Sequence, residues 1–369
     1  ILYRIWYKIN KNTQNNSNVK FYIDGPEAYP ALESLLEGAK ESFLLEVFIF
    51  TNDYTGRKFA DALVRKAKQG VEVKVLYDFF GNSNVKLMNY MAQNGVHVET
   101  YNKQVLTSKG INITHRKVFI ADGERAMTGG MNIGDEYATG QWHDTMMSYE
   151  GEAVKETLKE YIYDWKSASG KPSPKMTSYL TKEFPKTENK QYPLRVTVTS
   201  PKEVNKKEDI QRTMFAAIDA AKDNVKISMP YLSDDNLVKH LSIAAKRGVK
   251  VTALIPEEND QKAFVVLNQI SVNDLIKAGA TVYRGSYNHS KVISVDNVWT
   301  TIGSCNGDYR ALHINQELNV SISDPEFTAD FNRRFFEHHI SNSKQGLVKK
   351  IAWYKKPLYS FLEALDKYL

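Results

Sequence analysis

The sequence predicts an α/β fold of two similar α/β/α sandwich lobes, which an internal duplication relates by a pseudo-twofold axis. Three observations predict it. With 369 residues, of which 42% are hydrophobic, the chain is too long for one ordinary core and can fill two. A segment of the first half recurs in the second half. In both halves a helical segment precedes an alternating β-rich run, which is typical of a sheet covered on both faces.

The recurring segment is found at residues 114–122 and again at 288–296, a shift of 174 positions. Each copy contains histidine, lysine two residues later and aspartate five residues after the lysine. A glycine-containing turn follows each copy and ends in asparagine, Asn132 in the first half and Asn306 in the second, with the same shift. Two matches in register indicate a duplicated functional unit, and we expect its active site at the interface between the lobes.

The other elements follow the same duplication. Helical segments at 58–68 and 236–246 precede strand-like runs at 70–76 and 248–254. Four prolines among Lys, Thr and Ser indicate a linker between the halves. The predicted organisation is an amphipathic segment at 1–18, a first lobe at 19–170, the linker at 171–193, a second lobe at 194–345 and a basic amphipathic segment at 346–369.

Charge and composition favour an anionic partner. The net charge is +6, which suits lipid headgroups or nucleic acid, and the single cysteine excludes an internal disulfide. The longest apolar run, at 43–50, is interrupted by Glu46 and is too short to span a membrane. The two terminal segments mix aromatic residues with Lys and Arg, which predicts membrane-surface contact or ordinary packing. Because the sequence begins at Ile1, an upstream signal or anchor is left open.

The spacing of the paired motif predicts one phosphoryl-transfer site. Side chains alternate along a strand, so His115 and Lys117 point from one face, as do His289 and Lys291. If the lobes face each other, both histidines meet in one pocket. Two lysines with the amides of Asn132 and Asn306 then supply the donors that stabilise charge around phosphorus. The site therefore needs no metal ion and no cofactor.

The two histidines divide the chemistry. One attacks phosphorus and forms a covalent phosphohistidine, while the other protonates the leaving alkoxide and then activates the incoming alcohol or water. Asp144 and Glu317, 29 and 28 residues after the histidine of their own half, are predicted to orient the rings. Asp122 and Asp296 belong to the motif and are counted with the catalytic set, although their position before a turn favours a structural role.

The remaining histidines carry weaker predictions. His143 stands beside Asp144, but adjacent residues of a strand face opposite sides, so an exposed side chain is expected. His338 and His339 fall on a predicted helix at 331–340, where neighbours diverge by about 100° and cannot share a metal ion. The sequence thus contains no histidine or cysteine cluster typical of zinc.

These motifs resemble the phospholipase D superfamily, and the strings at 128–137, 142–144 and 303–310 are similar to those of bacterial cardiolipin synthases. The resemblance covers both lobes. It implies a membrane-associated transphosphatidylase that joins two phosphatidylglycerols and releases glycerol. It also implies that His115 is the nucleophile and His289 the general acid and base, although pseudosymmetry allows the reverse. The phosphate-binding residues that it implies are Lys117, Lys291, Asn132, Asn306, Gly130 and Ser304.

Two other activities fit the same motifs. A phospholipase D hydrolase shares every step up to the phosphohistidine and differs only in using water, which releases phosphatidic acid. A metal-independent nuclease is disfavoured, because the basic residues interleaved with aromatics that single-stranded nucleic acids require lie chiefly at the termini. One departure from the resembled family, Gln316 where an aromatic residue is usual, affects the choice of acceptor alcohol. The sequence predicts no oligomeric state.

Overall fold

The structure is a computed structural model, which describes residues 14–82, 85–102, 112–184, 189–201 and 206–349. Most of the two predicted amphipathic segments, at 1–13 and 350–369, lies outside the described residues. Within the described part of the chain, no helix has both the length and the apolar character needed to cross a membrane.

The first half contains strands β1 to β7 and helices α1 to α5. In chain order these are β1 (Gln14–Ile23), α1 (Asp24–Glu37), β2 (Ser42–Val47), α2 (Tyr54–Lys68), β3 (Glu72–Asp78), α3 (Lys86–Gln93), β4 (His97–Tyr101), β5 (Val118–Ala121), β6 (Arg125–Gly129), α4 (Asp135–Ala138), β7 (Thr145–Gly151) and α5 (Glu152–Ser167).

The predicted linker is partly helical, and the second half then repeats the pattern of the first. The elements are α6 (Pro174–Ser178), a 3₁₀ turn (Tyr179–Thr181), β8 (Tyr192–Ser200), β9 (Lys207–Glu208), α7 (Asp209–Ala220), β10 (Asn224–Ser228), α8 (Asp235–Lys246), β11 (Lys250–Leu254), α9 (Lys262–Lys277), β12 (Thr281–Arg284), β13 (Lys291–Val295), β14 (Trp299–Gly303), α10 (Tyr309–His313), β15 (Glu317–Ser323), α11 (Pro325–Phe331), a π-helical turn (Asn332–Glu337), α12 (His338–Ser341) and β16 (Lys344–Gln345).

The strand order confirms the predicted duplication. Across the described residues it runs β4-β3-β2-β5-β6-β7-β1-β8-β15-β14-β13-β10-β11-β12-β16, so the second half mirrors the first about the β1–β8 junction. β1 and β8 pair antiparallel there, with Gln14 opposite Leu194. The strands β2, β3 and β4 are parallel, as are β10, β11 and β12. The two lobes therefore share one continuous sheet, a junction that the sequence patterns did not predict.

A hydrophobic cluster holds the two lobes together. It contains Ile120 of β5 and Leu158 of α5 from the first half, with Ile302 of β14 and Leu318 of β15 from the second. All four side chains have no measurable exposure. Because close-packed side chains from both halves meet here, the positions of β5 and β15 are set relative to each other, and so are the residues at their ends.

Candidate active site

Two histidines from different lobes line one pocket. His115 precedes β5 and His289 precedes β13, so each stands at the start of an equivalent central strand. The pocket encloses about 670 Å³ of space not filled by protein atoms, including its open mouth. Both histidines contribute to its wall, with Phe48, Trp142, Tyr231, Phe264, Asn132, Asn306, Arg310 and Asp308 among the other lining residues.

Backbone bonds across the interface bring the histidines into this pocket. The His115 N–H donates to the carbonyl oxygen of Gln316 at 2.9 Å, and the His289 N–H donates to that of His143 at 2.7 Å. Each acceptor is the residue immediately before a predicted orienting acid of the other lobe, Glu317 or Asp144. The two bonds are therefore equivalent under the pseudo-twofold, and each places a histidine beside an acid from the opposite half.

The carboxylates orient the rings across the lobes. His115 Nδ1 lies 3.0 and 3.2 Å from the two Glu317 oxygens and 3.2 Å from the Ser304 carbonyl oxygen. His289 Nδ1 lies 2.7 Å from Asp144 Oδ2. The Ser304 carbonyl oxygen beside His115 and the Asp144 carboxylate beside His289 can only accept, so Nδ1 carries the proton in both rings and Nε2 keeps its lone pair. The sequence predicted these acids as orienters, but their spacing does not indicate that each serves the histidine of the other lobe.

Gly130 and Ser304 occupy equivalent positions in the two glycine-containing turns, and each lies against the orienting acid of its own half. A Cβ atom at Gly130 would lie 2.2 Å from Asp144 Oδ1, so glycine makes room for that carboxylate. At the equivalent position, the hydroxyl of Ser304 donates to Glu317 Oε2. The backbone N–H groups of both residues are already bonded, to the carbonyl oxygens of Thr145 at 3.0 Å and Leu318 at 3.1 Å. The prediction that Gly130 and Ser304 hold phosphate is therefore corrected, because their donors are used within the protein.

The two lysines lie behind the histidines. Neither Lys117 nor Lys291 has exposed surface. The Lys117 ammonium donates to the carbonyl oxygen of His115 at 2.6 Å, and the Lys291 ammonium donates to that of His289. An ammonium has three donors and this contact uses one of them. Each lysine is thus tied to the backbone of its own motif, and neither is among the described residues that line the pocket.

The two asparagines line the pocket with different partners. Asn132 Oδ1 accepts the Ile49 N–H at 2.9 Å, and its Nδ2 donates to the Tyr137 hydroxyl at 2.8 Å. Asn306 Oδ1 is buried without a hydrogen-bond partner among the described residues. Asn132 therefore helps to build the pocket wall, whereas the Asn306 amide oxygen is an unused acceptor.

Burial and the lysines keep both imidazoles neutral. Burial, with the positive charges of Lys117 and Lys291, lowers the pKa of His115 well below its usual value. Burial, reinforced by Lys291 and opposed by the hydrogen bond to Asp144, lowers the pKa of His289 to about 4. Burial raises the pKa of Glu317 to about 8, with Lys117 opposing. The free site therefore holds two neutral imidazoles at pH 7, and a bound anion favours protonation of one of them.

The motif aspartates lie at the far end of their strands. Asp122 follows β5 with φ of 56°, and Asp296 follows β13 with φ of 50°. The Asp122 carboxylate accepts the backbone N–H groups of Lys40, Glu41 and Ser42. Asp296 accepts the equivalent groups of Lys222, Asp223 and Asn224. Neither is among the described residues that line the pocket. Their inclusion in the catalytic set is therefore corrected, and the interpretation as turn-stabilising residues fits these contacts.

Aromatic side chains surround both imidazoles, a feature that the sequence analysis missed. The Phe48 ring centroid lies 5.2 Å from that of His115. Trp142, Tyr137 and Tyr287 stand 5.7, 5.8 and 6.0 Å from the ring centroid of His289. Because aromatic residues occur in every core, their identity alone gave no signal. Tyr287, two residues before His289, and Trp142, two residues before Asp144, are the two that stand close to a site residue in the sequence.

Arg116 is a second feature that the sequence analysis missed. This buried residue stands between His115 and Lys117, and its side chain donates to Asp164 Oδ2 at 2.5 Å. The same guanidinium donates to the Glu317 carbonyl oxygen at 3.2 Å and to Gln316 Oε1 at 3.3 Å. Arg116 therefore braces the segment that carries the acid of the opposite lobe. The second copy of the motif has Ser290 at this position, so the repeat did not mark it.

Comparison with known proteins agrees with this geometry. Residues 32–165 and 214–340 match the family "Cardiolipin synthase, PLD-like domain". The chain is 32% identical to cardiolipin synthase 1 of Staphylococcus aureus (strain COL) over 370 residues, covering 96% of this chain and 73% of that protein. It is 34% identical to the major cardiolipin synthase ClsA of Bacillus subtilis (strain 168) over 326 residues, covering 85% of this chain and 66% of the relative.

A solved structure has the same fold. The phosphatidylserine synthase of Haemophilus influenzae Rd KW20 superposes with a TM-score of 0.71 and 14% identity, covering 99% of this chain and 97% of that one. The polyphosphate kinase of Porphyromonas gingivalis gives a TM-score of 0.61, also at 14% identity, covering 95% of this chain and 53% of that one. At this level of identity the likeness concerns the fold alone.

Proposed function

Since the chain belongs to the phospholipase D-like family of cardiolipin synthases, we propose that it is a transphosphatidylase that converts two phosphatidylglycerols into cardiolipin and glycerol. The family membership confirms the resemblance that the paired motifs predicted. One observation carries the chemical part of the proposal. Two neutral imidazoles from the two lobes line one pocket, and each is oriented by a carboxylate of the other lobe.

The first step forms a covalent intermediate. His115 Nε2 attacks the phosphorus of one phosphatidylglycerol, and the bond between phosphorus and the headgroup glycerol oxygen breaks. His289, protonated on Nε2, gives that proton to the glycerol oxygen, so neutral glycerol leaves. In the second step neutral His289 takes the proton of a hydroxyl on a second phosphatidylglycerol. That oxygen attacks phosphorus, the bond to His115 breaks, and cardiolipin is released.

The two acids support this assignment of roles. Asp144 makes a short contact of 2.7 Å to His289, which stabilises an imidazolium at that position. Glu317 faces His115 over 3.0 and 3.2 Å, and its pKa is raised to about 8, so it supports a charged His115 less well. A neutral His115 is suited to attack, and a His289 that gains its proton when the anionic substrate binds is suited to act as the acid.

The lysines and one asparagine are proposed to hold the phosphate. Lys117 and Lys291 lie close enough to both rings to lower the pKa of each imidazole, which places their charges around the same small volume. Asn306 lines the same pocket, and the N–H groups of its side-chain amide can donate to a phosphate oxygen. Charge that develops on the non-bridging oxygens during transfer is stabilised by such fixed donors in a buried site.

A product assay tests the proposed function. The protein is incubated with phosphatidylglycerol vesicles and EDTA, and the lipids are separated. Cardiolipin with an equal amount of glycerol is the expected result. Phosphatidic acid as the main product would identify a hydrolase, and cleavage of DNA without lipid turnover would overturn the lipid assignment.

A pair of histidine variants controls for this assay. His115→Asn removes the nucleophile and should reduce turnover at least a thousandfold, in the range measured for triad nucleophiles. His97→Asn removes an exposed histidine of β4 outside the pocket and should leave turnover unchanged. Equal rates for both variants would reject the role of His115.

Membrane contact is proposed at the pocket mouth. Phe79 and Phe80, which are 43% and 40% exposed, follow β3 in the turn that ends at Asn82. The Asn82 side chain donates to the carbonyl oxygen of the pocket residue Phe48, which connects this turn to the pocket. Val265 and Tyr309, both 37% exposed, are sequence neighbours of pocket residues on the second lobe. Exposed apolar groups that flank a lipid site from both lobes are suited to enter the headgroup region of a membrane.

Vesicle sedimentation tests this contact. Replacing both Phe79 and Phe80 with Ser should weaken binding to phosphatidylglycerol vesicles at least tenfold, because two large apolar groups no longer leave water. The matched control is Val298→Ser, which removes an apolar group of 36% exposure at the opposite end of β13. Equal loss of binding in both variants would contradict a specific role for the mouth. The terminal segments stay a second predicted contact.

A further inference from the structure

A second cluster of ionisable side chains lies beside the active site but outside its pocket. It consists of Asp24 at the start of α1, His143 immediately before Asp144, and His339 on α12 of the second half. One ligand atom from each lies within 4.8 Å of the others. None of the three is among the described residues that line the catalytic pocket.

His339 has an unused ring nitrogen. The residue is only 6% exposed, and its Nε2 is buried with no hydrogen-bond partner among the described residues. The ring stands 4.8 Å from the His143 ring, at 68° between the planes. A buried polar atom without a partner costs free energy, because it has given up its hydrogen bond to water. A ligand that bonds this nitrogen removes the cost.

The other two side chains are already fixed in place. Asp24 Oδ2 lies 2.8 Å from His143 Nδ1, and Asp24 Oδ1 accepts the Asp144 N–H at 3.0 Å. The Asp24 backbone N–H in turn donates to the Asp144 carbonyl oxygen at 2.8 Å. The carboxylate therefore cannot swing away from the cluster without breaking bonds to the residue that orients His289.

We propose that Asp24, His143 and His339 bind a divalent transition-metal ion, with Zn²⁺ as the best fit. Two imidazoles and one carboxylate form a ligand set that suits zinc, and water completes its tetrahedral coordination. With zinc bonds of about 2.0–2.1 Å, tetrahedral ligand atoms lie roughly 3.3 Å apart. To reach this value the Asp24–His143 contact of 2.8 Å has to open slightly, and the longer distances in the cluster, at most 4.8 Å, have to shorten. Next to it, an open cavity lined by His143, His339, Asn342 and Ser343 admits the water ligand.

The metal ion has a structural role here. Its ligands come from α1 and the segment before β7 in the first lobe and from α12 in the second, so it joins the two lobes. One of the ligands, His143, is the residue immediately before Asp144. The ion does not take part in phosphoryl transfer, because its ligands are outside the pocket. Chelation should therefore lower stability and leave turnover at low temperature unchanged.

The sequence did not indicate this cluster, because its three residues are far apart along the chain. Asp24 and His143 are 119 residues apart, and His339 belongs to the other half. The expectation of no metal rested on the lack of a local histidine or cysteine motif, and for the catalytic pocket it stays a prediction. His338, the neighbour of His339 in sequence, is exposed and is not part of the ligand set.

Zinc binding to the whole chain tests the proposal. Protein treated with EDTA and dialysed is titrated with ZnCl₂ by calorimetry, and its melting temperature is measured with and without zinc. The expected result is one equivalent bound and a rise of several degrees in the melting temperature, which EDTA reverses. His143→Gln and His339→Ala should each weaken zinc binding at least tenfold and lose the rise. His338→Ala, the matched control, should keep both.

Two results would overturn the proposal. One is the absence of saturable zinc binding by the wild-type chain, which would reduce the cluster to an ion pair between Asp24 and His143. The other is equal zinc affinity in the His143→Gln, His338→Ala and wild-type proteins. His143 is partly exposed, with 28% of its side chain in solvent, so its replacement removes a ligand without opening a cavity in the core. Neither result bears on the lipid product assay.

Discussion

The two motif aspartates give a quantitative test of structural against catalytic roles. Asp122→Ala removes the acceptor for three backbone N–H groups, at Lys40, Glu41 and Ser42. Asp296→Ala does the same to an equivalent set at the start of β10. Both replacements also put alanine in a left-handed conformation that aspartate tolerates better.

The two variants should differ in cost because their surroundings differ. The Ser42 N–H is buried and loses its only described side-chain acceptor, at about 1–3 kcal/mol. Lys40 and Glu41 are exposed, so water replaces most of their lost bonds. With about 1 kcal/mol for the backbone, we expect Asp122→Ala to lose roughly 2–4 kcal/mol of unfolding free energy. Asp296 is half-buried and none of its donors is fully buried, so about 2–3 kcal/mol is expected there.

Urea unfolding and cardiolipin formation measure the two effects separately. Both variants should be less stable than wild type, Asp122→Ala the more so, and both should keep their rate per folded molecule within about twofold. Asp122→Asn, which keeps one acceptor oxygen and tolerates the backbone conformation, should recover part of the loss. A rate at least tenfold lower in fully folded Asp122→Ala, or no loss of stability, would refute the structural role.

Two further predictions follow from buried charges. Arg116→Met leaves the Asp164 carboxylate buried without its positive partner, so we expect a loss of about 3–5 kcal/mol in unfolding free energy. Urea unfolding measures this loss, and a change below about 1 kcal/mol would contradict the prediction. Burial raises the pKa of Asp78 to about 7, so the folded state holds more protons than the unfolded state between pH 4 and 7. The stability that this proton contributes is complete below the unfolded pKa and is lost as pH rises to 7, whereas Asp78→Asn should not show this loss. If the wild-type protein and Asp78→Asn showed the same pH dependence of unfolding, the proposed contribution of the Asp78 proton to stability would be excluded.

The duplication could be predicted because the same motif occurs twice in the sequence. The histidines, lysines and asparagines repeat at one fixed shift, and strand alternation places His115 and Lys117 on one face. The pairing of His115 with Glu317 could not be predicted in the same way. The acids follow the histidine of their own half at nearly equal spacing, so the sequence is compatible with pairing within a lobe or between lobes. Only the way in which the two lobes pack against each other decides it.

Other features had no sequence pattern of their own. The β1–β8 junction depends on two edge strands that happen to align, and backbone pairing is independent of side-chain identity. Gly130 and Ser304 were assigned to phosphate from the resemblance, but their N–H groups are used by neighbouring strands. Arg116 stands at a variable position of the repeat, so its role emerges only from its contacts with Asp164 and Gln316.

The covalent intermediate tests the central claim most directly. The protein is mixed with phosphatidylglycerol, quenched within one turnover and digested at neutral pH, and the histidine peptides are analysed by mass spectrometry. We predict one phosphatidyl group per chain, attached to His115, absent in His115→Asn and longer-lived in His289→Asn. Two groups per chain, one on each histidine, or an adduct that persists in His115→Asn, would contradict a single site shared by the two lobes.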